Sequence, residues 1–339
     1  AFNPSEIAAE VRAGRQLERP DGCPDSLFEC MVRCWGVVPT SRPSFATVQG
    51  VIRLLLLDDA SVLQAKVAAA TNICRASTSD DIMQWSVPMR GWEPTPLGPT
   101  DCGKFQLVQY RAVVASGGSV GHDNEIEVAS RVGIVATTPG DVAVLKTLFS
   151  VLQDLKHVNV ARLAGCSAQH GFSVLFDDCS ITLASILHNQ NGPVPVGTGN
   201  APSLLGALVQ ARTGAAATAA TTAAATQMGL GLEYLHARLL VHGRLSSAAF
   251  YFAEGGSTLR LLVGNVLQSI RPSVPGSVPS SIVRWLPNEV VRAEEPVSIS
   301  SDVYGFGVLL WELSANSGIP HSGMYPIDTA LQAAITERQ

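Results

Sequence analysis

The chain holds 339 residues, 46% hydrophobic and 15% charged, with a formal charge of −5; that supports one large core or two smaller ones, at a charge density below the roughly 25% usual for soluble domains. The acidic balance offers no basic footprint for nucleic acid. No apolar run approaches the about 18–20 residues of a bilayer-spanning helix, since VIRLLLLDD and VLLWELS are short and broken by charge.

Residues 1–57 read as helices. Asn3-Pro4-Ser5 opens the first. Leu27, Met31 and Cys34 share one face of a second, and Phe45, Val48, Ile52 and Leu55 form a stripe on a third, after the turn at Pro43-Ser44. Cys30 and Cys34 lie inside that apolar pattern and read as core thiols rather than metal ligands. The seven cysteines show no C-x-x-C or mixed His/Cys ligand spacing, and their odd number and irregular spacing suit a reducing compartment. The opening AFNPSEIAAEVRAG has neither Met nor a signal-peptide pattern, as expected of a piece of a longer chain.

Residues 58–94, rich in Ala, Ser, Thr and Asp and then in Pro, read as a linker with a short helix at 60–70. From Gly98 the period shortens. KFQLVQYRAVV and EIEVASRVGIV look like strands around the turn SGGSVGHDN. Asp141 is expected to cap a helix bearing Leu145, Leu148, Leu152 and Leu155, and FSVLF (172–176) has a buried-strand pattern. Residues 191–226, ending ARTGAAATAATTAAAT, read as a low-complexity surface insertion without a core of its own, its Ala run open to partial helix. Two amphipathic helices follow, one with Met228, Leu232 and Leu235, the other with Val303, Phe306, Leu310 and Leu313. Strands first and helices after predict an α+β chain with a small sheet lobe and a helical lobe. The end, GMYPIDTALQAAITERQ, echoes the start; an internal repeat is one reading, and likeness between two Ala-rich helix starts is the other.

Taken in order, these segments resemble a protein-kinase domain of the tyrosine-kinase kind. LGPTDCGKFQLVQY is similar to the Gly-rich loop between two strands, and LKHVNVARLAGC to the end of the lobe-linking helix and the strand after it. QMGLGLEYLHARLLVHGRL is similar to the long helix entering the catalytic loop, VRWLPNEVV to the A-P-E segment, and SSDVYGFGVLLWEL to the central helix of the lower lobe. RLERPDGCPDSLFECMVRCW and SRPSF, near the start, resemble the last helices of such a domain. The inactive receptor tyrosine kinase 7 group gives the nearest echo. The resemblance implies a bilobal fold, an antiparallel sheet lobe with one helix and a larger, mainly helical lobe. Residues 1–57 would be the C-terminal helical part of a kinase-like domain, 58–94 a linker, and 95–339 a kinase-like domain. In that domain the sheet lobe covers about 95–178 and the helical lobe about 179–339, with the final helices missing. Two arrangements stay open: a fragment of tandem domains, or a permuted domain whose N-terminal helices complete its own helical lobe. The resemblance pairs Arg42 with Glu289, and the permuted arrangement requires those two side chains to meet.

Phosphoryl transfer is positioning plus charge neutralisation; it needs a strand cation held by a helix carboxylate, a catalytic aspartate, and Asp and Asn ligands for magnesium. The resemblance places Arg131 at the strand-lysine position, because Lys146 lies too near His157 for the lobe-linking helix to fit between them. Leu148 takes the place of the helix glutamate. Gly98 and Gly103 flank Thr100 in the phosphate loop, a spacing that equally suits an ordinary hairpin turn. In VHGRLSSAAF, His242 is kept, Gly243 and Arg244 stand for the arginine and the catalytic aspartate, and Ala249 stands for the metal-binding asparagine. Val263-Gly264-Asn265 replaces D-F-G, so Val263 takes the main metal-ligand position. An arginine does not accept a proton at working pH. Arg42, Trp285, Glu289 and Asp302 carry over as architecture, and each alone also reads as a satisfied core residue. Between Val263 and Glu289 there is no tyrosine to be phosphorylated.

The resulting expectation is a catalytically inactive domain, a pseudokinase, acting as a protein-interaction or allosteric module in signalling. It would use no cofactor or metal, with Gly98, Gly103 and Arg131 left for weak, metal-independent ATP binding. Its partners would be other signalling proteins, in the cytoplasm or on the intracellular part of a membrane receptor. The alternatives are a degenerate but ATP-binding protein tyrosine kinase, and a gene product with no selected role.

Overall fold

The computed structural model describes residues 17–57, 92–96, 105–115, 126–136, 138–168, 172–177, 181–188, 203–210, 214–263, 280–292, 295–315, 318 and 320. Asn3-Pro4-Ser5, the helix at 60–70, Gly98, Thr100, Gly103, Gly264, Asn265 and both ends of the terminal echo lie outside them.

The sheet lobe contains β1 (Glu93–Pro96), β2 (Gln106–Ala115), β3 (Ile126–Ala136), α1 (Pro139–Gln153), β4 (Leu163–Ser167) and β5 (Phe172–Asp177). The five strands are antiparallel in the order β1-β2-β3-β5-β4. Strand alternation splits the sheet into two faces. Val132, Ile134, Ala136, Val174 and Phe176 join α1, through Leu145, Leu148 and Leu152, in the main core. Val108, Tyr110, Val135 and Leu175 form a second cluster, with Trp92 against it, on the other face. Two boundaries differ from expectation. β1 begins inside the segment read as linker, because its Pro-rich sequence suits an edge strand. The cap of α1 is Thr138, whose hydroxyl accepts from the Asp141 backbone N–H, with Pro139 in the first turn; Asp141 is the acidic first-turn residue, not the cap.

The helical lobe contains β6 (Ile181–Thr182), α2 (Leu183–His188), α3 (Leu204–Gln210), α4 (Gly214–His236), β7 (Phe250–Ala253), β8 (Thr258–Leu261), α5 (Asn288–Val291) and α6 (Ile299–Ser314). The Ala/Thr tract is not a surface insertion. Residues 214–226 form the first half of α4, and Ala220, Thr221, Thr222, Ala224 and Ala225 are buried. Alanine is the strongest helix former and its small side chain permits close approach. The threonines stay satisfied because Thr222 and Thr226 donate to the carbonyls of Thr218 and Thr222 at 2.7 and 2.8 Å.

Two further helices, α7 (Asp25–Cys34) and α8 (Phe45–Leu57), come first in the chain but close this lobe, so they are numbered last. α7 buries Leu27, Cys30, Met31 and Cys34 and packs on α6. At Gly307 of α6 an added Cβ would meet the Cys34 Cβ at 2.7 Å and the Trp35 Nε1 at 2.9 Å, so only glycine allows that approach. α8 packs on α4, where Gly229 leaves room for Gln49, whose amide donates to the Thr226 carbonyl at 3.2 Å. Phe45 sits edge-on to Phe306 with centroids 5.1 Å apart. Arg42 reaches Glu289 at 2.6 Å and also donates to the carbonyls of Gly36 and Ser300. The contact required of a permuted arrangement is therefore made.

The Arg42 and Glu289 side chains are only 2% and 14% exposed. Removing one partner leaves the other charge buried, a loss on the order of 3–5 kcal/mol. Arg42→Met should lower the urea-unfolding free energy by about 3 kcal/mol, and the double variant Arg42→Met/Glu289→Met should recover part of that. A loss below about 1 kcal/mol would reduce the pair to an ordinary surface ion pair.

Candidate functional site

The loop with His242 and Arg244 runs from Val241 to Ala249, between α4 and β7. Its shape is set by Asp302 of α6, which is 2% exposed. One carboxylate oxygen accepts from the Gly243 N–H at 2.8 Å; the other accepts from the His242 N–H and from the His236 ring, both at 2.8 Å. The α6 N-terminus that carries Asp302 is fixed by a capping box between Ser298 and Ser301. Gly243 has φ 76°, a left-handed conformation that a side chain would resist by about 1–2 kcal/mol.

His242 lies fully buried below this loop. Its Nε2 donates to the Leu262 carbonyl at 3.1 Å, and its Nδ1 accepts from the Arg244 N–H at 3.4 Å. That pattern describes a neutral ring with the proton on Nε2. Burial pushes its pKa below the usual histidine value, with Asp302 and the Leu262 carbonyl pulling the other way.

The side chains at the family's catalytic and metal positions are buried. Arg244 is 5% exposed, Ala249 is buried, and Val263 is wholly inside the core. Ala249 contributes only its backbone, accepting from the Leu262 N–H at 2.9 Å. A hard divalent cation needs several oxygen ligands. The two buried carboxylates bordering the loop already have their oxygens committed. Those of Asp302 are described above. Glu312 Oε1 meets the Ser247 hydroxyl and His188 Nε2, both at 2.6 Å, and its Oε2 accepts from Trp285 Nε1 at 2.9 Å. Among the described residues no group of His, Cys, Asp and Glu could hold a metal. Among the described residues these side chains do not fit a metal–nucleotide pair.

Arg131 lies directly opposite Tyr110, a member of the cluster on the far face, and its guanidinium stacks over Trp92 at 5.0 Å. Its neighbour Val132 faces α1 in the main core. Lys146 lies on α1, 5.7 Å from the Phe172 ring, and Leu148 is buried in the core. Glu289, Trp285, His242 and Asp302 do come together with α6. The sequence reading missed His188, Ser247, His236 and Glu312. Glu312 had a signal, as the lone carboxylate within the apolar stretch VLLWELS.

A family model described as protein tyrosine and serine/threonine kinase matches residues 1–52 and 102–339. The chain is 23% identical over 235 residues to the Raf homolog serine/threonine-protein kinase of Caenorhabditis elegans, covering 66% of this chain and 26% of that protein. It is 28% identical over 204 residues to the serine/threonine-protein kinase A-Raf of Mus musculus, covering 58% and 30%. It is 35% identical over 105 residues to the human A-Raf, covering 29% and 17%. The chain thus spans less than a third of the length of each of these relatives. Their names are those of serine/threonine kinases, whereas the motifs alone echo tyrosine kinases.

Because His242 is held neutral when folded, the unfolded chain takes up a proton first as pH falls through about 6.5. The stability His242 contributes is complete above that pH and is lost as pH drops towards its lower folded value. Urea unfolding at about pH 7.5 and about pH 5.5 should show a smaller pH dependence for His242→Gln than for the parent. Equal slopes would contradict the buried neutral ring.

Proposed function

Because the chain belongs to the protein tyrosine and serine/threonine kinase family, we propose that it is a member without phosphoryl-transfer activity, working as a protein-binding or allosteric module in signalling. The observation that carries this reading is Arg244: a buried, permanently charged guanidinium stands where the family uses an aspartate. A general base typically contributes a factor of roughly 10²–10⁴. Val263 and Ala249 at the metal-ligand positions remove the second requirement, and the committed oxygens of Asp302 and Glu312 leave no ready substitute. On this reading no metal cofactor is used, and any nucleotide binding is weak and metal-independent.

The same reading takes residues 17–57 and 92–320 as parts of one domain in rotated order, which the Arg42–Glu289 contact supports; tandem domains are the competing arrangement. Among the described residues no helix is long and apolar enough to cross a membrane. The names of the similar kinases favour a second reading, a degenerate but active phosphotransferase.

Thermal denaturation with ATP, with and without magnesium, separates the two readings. A ligand at about 100 times its Kd should stabilise the fold by roughly 2.7 kcal/mol. The expected result is no magnesium-dependent shift and no phosphate transfer to generic serine, threonine or tyrosine peptides. Turnover that is abolished by Arg244→Ala would overturn the proposal.

A further inference from the structure

Away from the loop, the residue with the least structural justification is Leu239. It is 80% exposed. Its φ of 58° is the only positive value among the described non-glycine residues. A left-handed backbone disfavours any side chain, and an exposed leucine gains nothing from burial in the free protein. The turn is held by backbone bonds from Leu239 to the His236 carbonyl and from Leu240 to the Leu235 carbonyl, at 2.9 and 3.1 Å. Glycine would adopt the same geometry without strain. Retained strain at a surface is a pointer to function.

Leu239 adjoins, through Arg238, a strip linked by side-chain stacking. Its neighbour Arg238 stacks on Tyr234, 3.6 Å from the ring centre, and the His157 ring stacks on the same tyrosine at 4.8 Å. The Tyr234 hydroxyl accepts from the Lys156 N–H at 2.8 Å. Beside His157, Val158 is 45% exposed, and its carbonyl accepts from Arg260 Nε at 3.3 Å. The strip carries the exposed apolar side chains of Leu239 and Val158 with the exposed cations Lys156 and Arg238, the latter also donating to the Tyr234 carbonyl at 3.2 Å. Asp154 and Glu233 are the acidic residues beside it in sequence, on a chain of net charge −5.

We propose that this strip is a docking site for an acidic peptide segment of another protein, with apolar side chains meeting Leu239 and Val158 and carboxylates meeting Lys156 and Arg238. Charge complementarity steers and orients such a segment, and a buried apolar anchor supplies most of the affinity. An anionic membrane shares the charge requirement but normally meets a long amphipathic helix face, which two apolar side chains at a turn do not provide. The proposal rests on the reading of the chain as a binding module but not on its inactivity, so a phosphoryl-transfer assay leaves it untouched.

The test uses the full chain and a short fluorescein-labelled peptide of Asp and Glu with two leucines four positions apart. Control peptides replace the leucines by serine, or the acids by lysine. Fluorescence anisotropy should show saturable binding that weakens with salt. Leu239→Gly and Arg238→Glu should each weaken it by about tenfold or more. At the same time Leu239→Gly should raise Tm by about 2 °C, because it relieves the strained turn. A loss of binding in a more stable protein is not explained by misfolding. Equal binding by Leu239→Gly, equal binding of the serine peptide, or no binding up to about 1 mM peptide would overturn the proposal. So would binding to phosphatidylserine vesicles in place of the peptide, or a Leu239-dependent self-association seen by sedimentation.

Discussion

One buried carboxylate organises the functional half of this molecule. Asp302 cannot be buried as an anion without donors around it, and it obtains three, two from the loop backbone and one from His236. Those bonds fix where the loop runs, and the loop in turn sets His242 under Leu262 and Arg244 beside it. The arrangement holds only if α6 comes close to everything around it. Two glycines permit this. Gly305 leaves room for the Trp285 carbonyl and the Leu245 side chain, and Gly307 leaves room for Cys34 and Trp35. Side chains at either place would push α6 outward and pull Asp302 from its donors.

This geometry holds the loop largely through backbone atoms. The bonds that shape the loop are made by backbone N–H groups and by His236, His242 and Asp302. Ala249 enters through its carbonyl and Gly243 through its N–H, so neither needs the side chain the family has there. Gly243 is even better suited to its φ of 76° than an arginine would be. The shape of the loop thus does not depend on the side chains at positions 243 and 249.

Much of this was legible in the sequence because it depends on periodicity and on short motifs. The stripes Leu27–Met31–Cys34 and Phe45–Val48–Ile52 became buried helix faces, and the order of segments gave the two lobes. What failed did so for local reasons. The Ala/Thr tract lacks an amphipathic stripe because both faces of that part of α4 meet neighbours, so composition alone suggested exposure. The face that Arg131 takes was not legible either, because a shift of one residue exchanges the faces of a strand, and only the pairing with Tyr110 fixes it. Leu239 carried no sequence signal, since its exposure and left-handed φ belong to a turn rather than a pattern.

The helices at the start of the chain bear on a more general point about connectivity. Arg42 and Glu289 are 247 residues apart in sequence, yet they form a buried pair with supporting bonds to Gly36 and Ser300. The entropic cost of closing a loop rises slowly, by about 0.6 kcal/mol for each doubling of its length. A buried ion pair broken on one side costs several times that, and the apolar contacts of α7 and α8 add to it. Which end of the chain supplies the closing helices is therefore a weak constraint, and the complementarity of Cys34 and Trp35 to Gly307, and of Gln49 to Gly229, is a strong one. Helices that come first in the chain therefore pack on α6 and α4 as closely as helices near to them in sequence would.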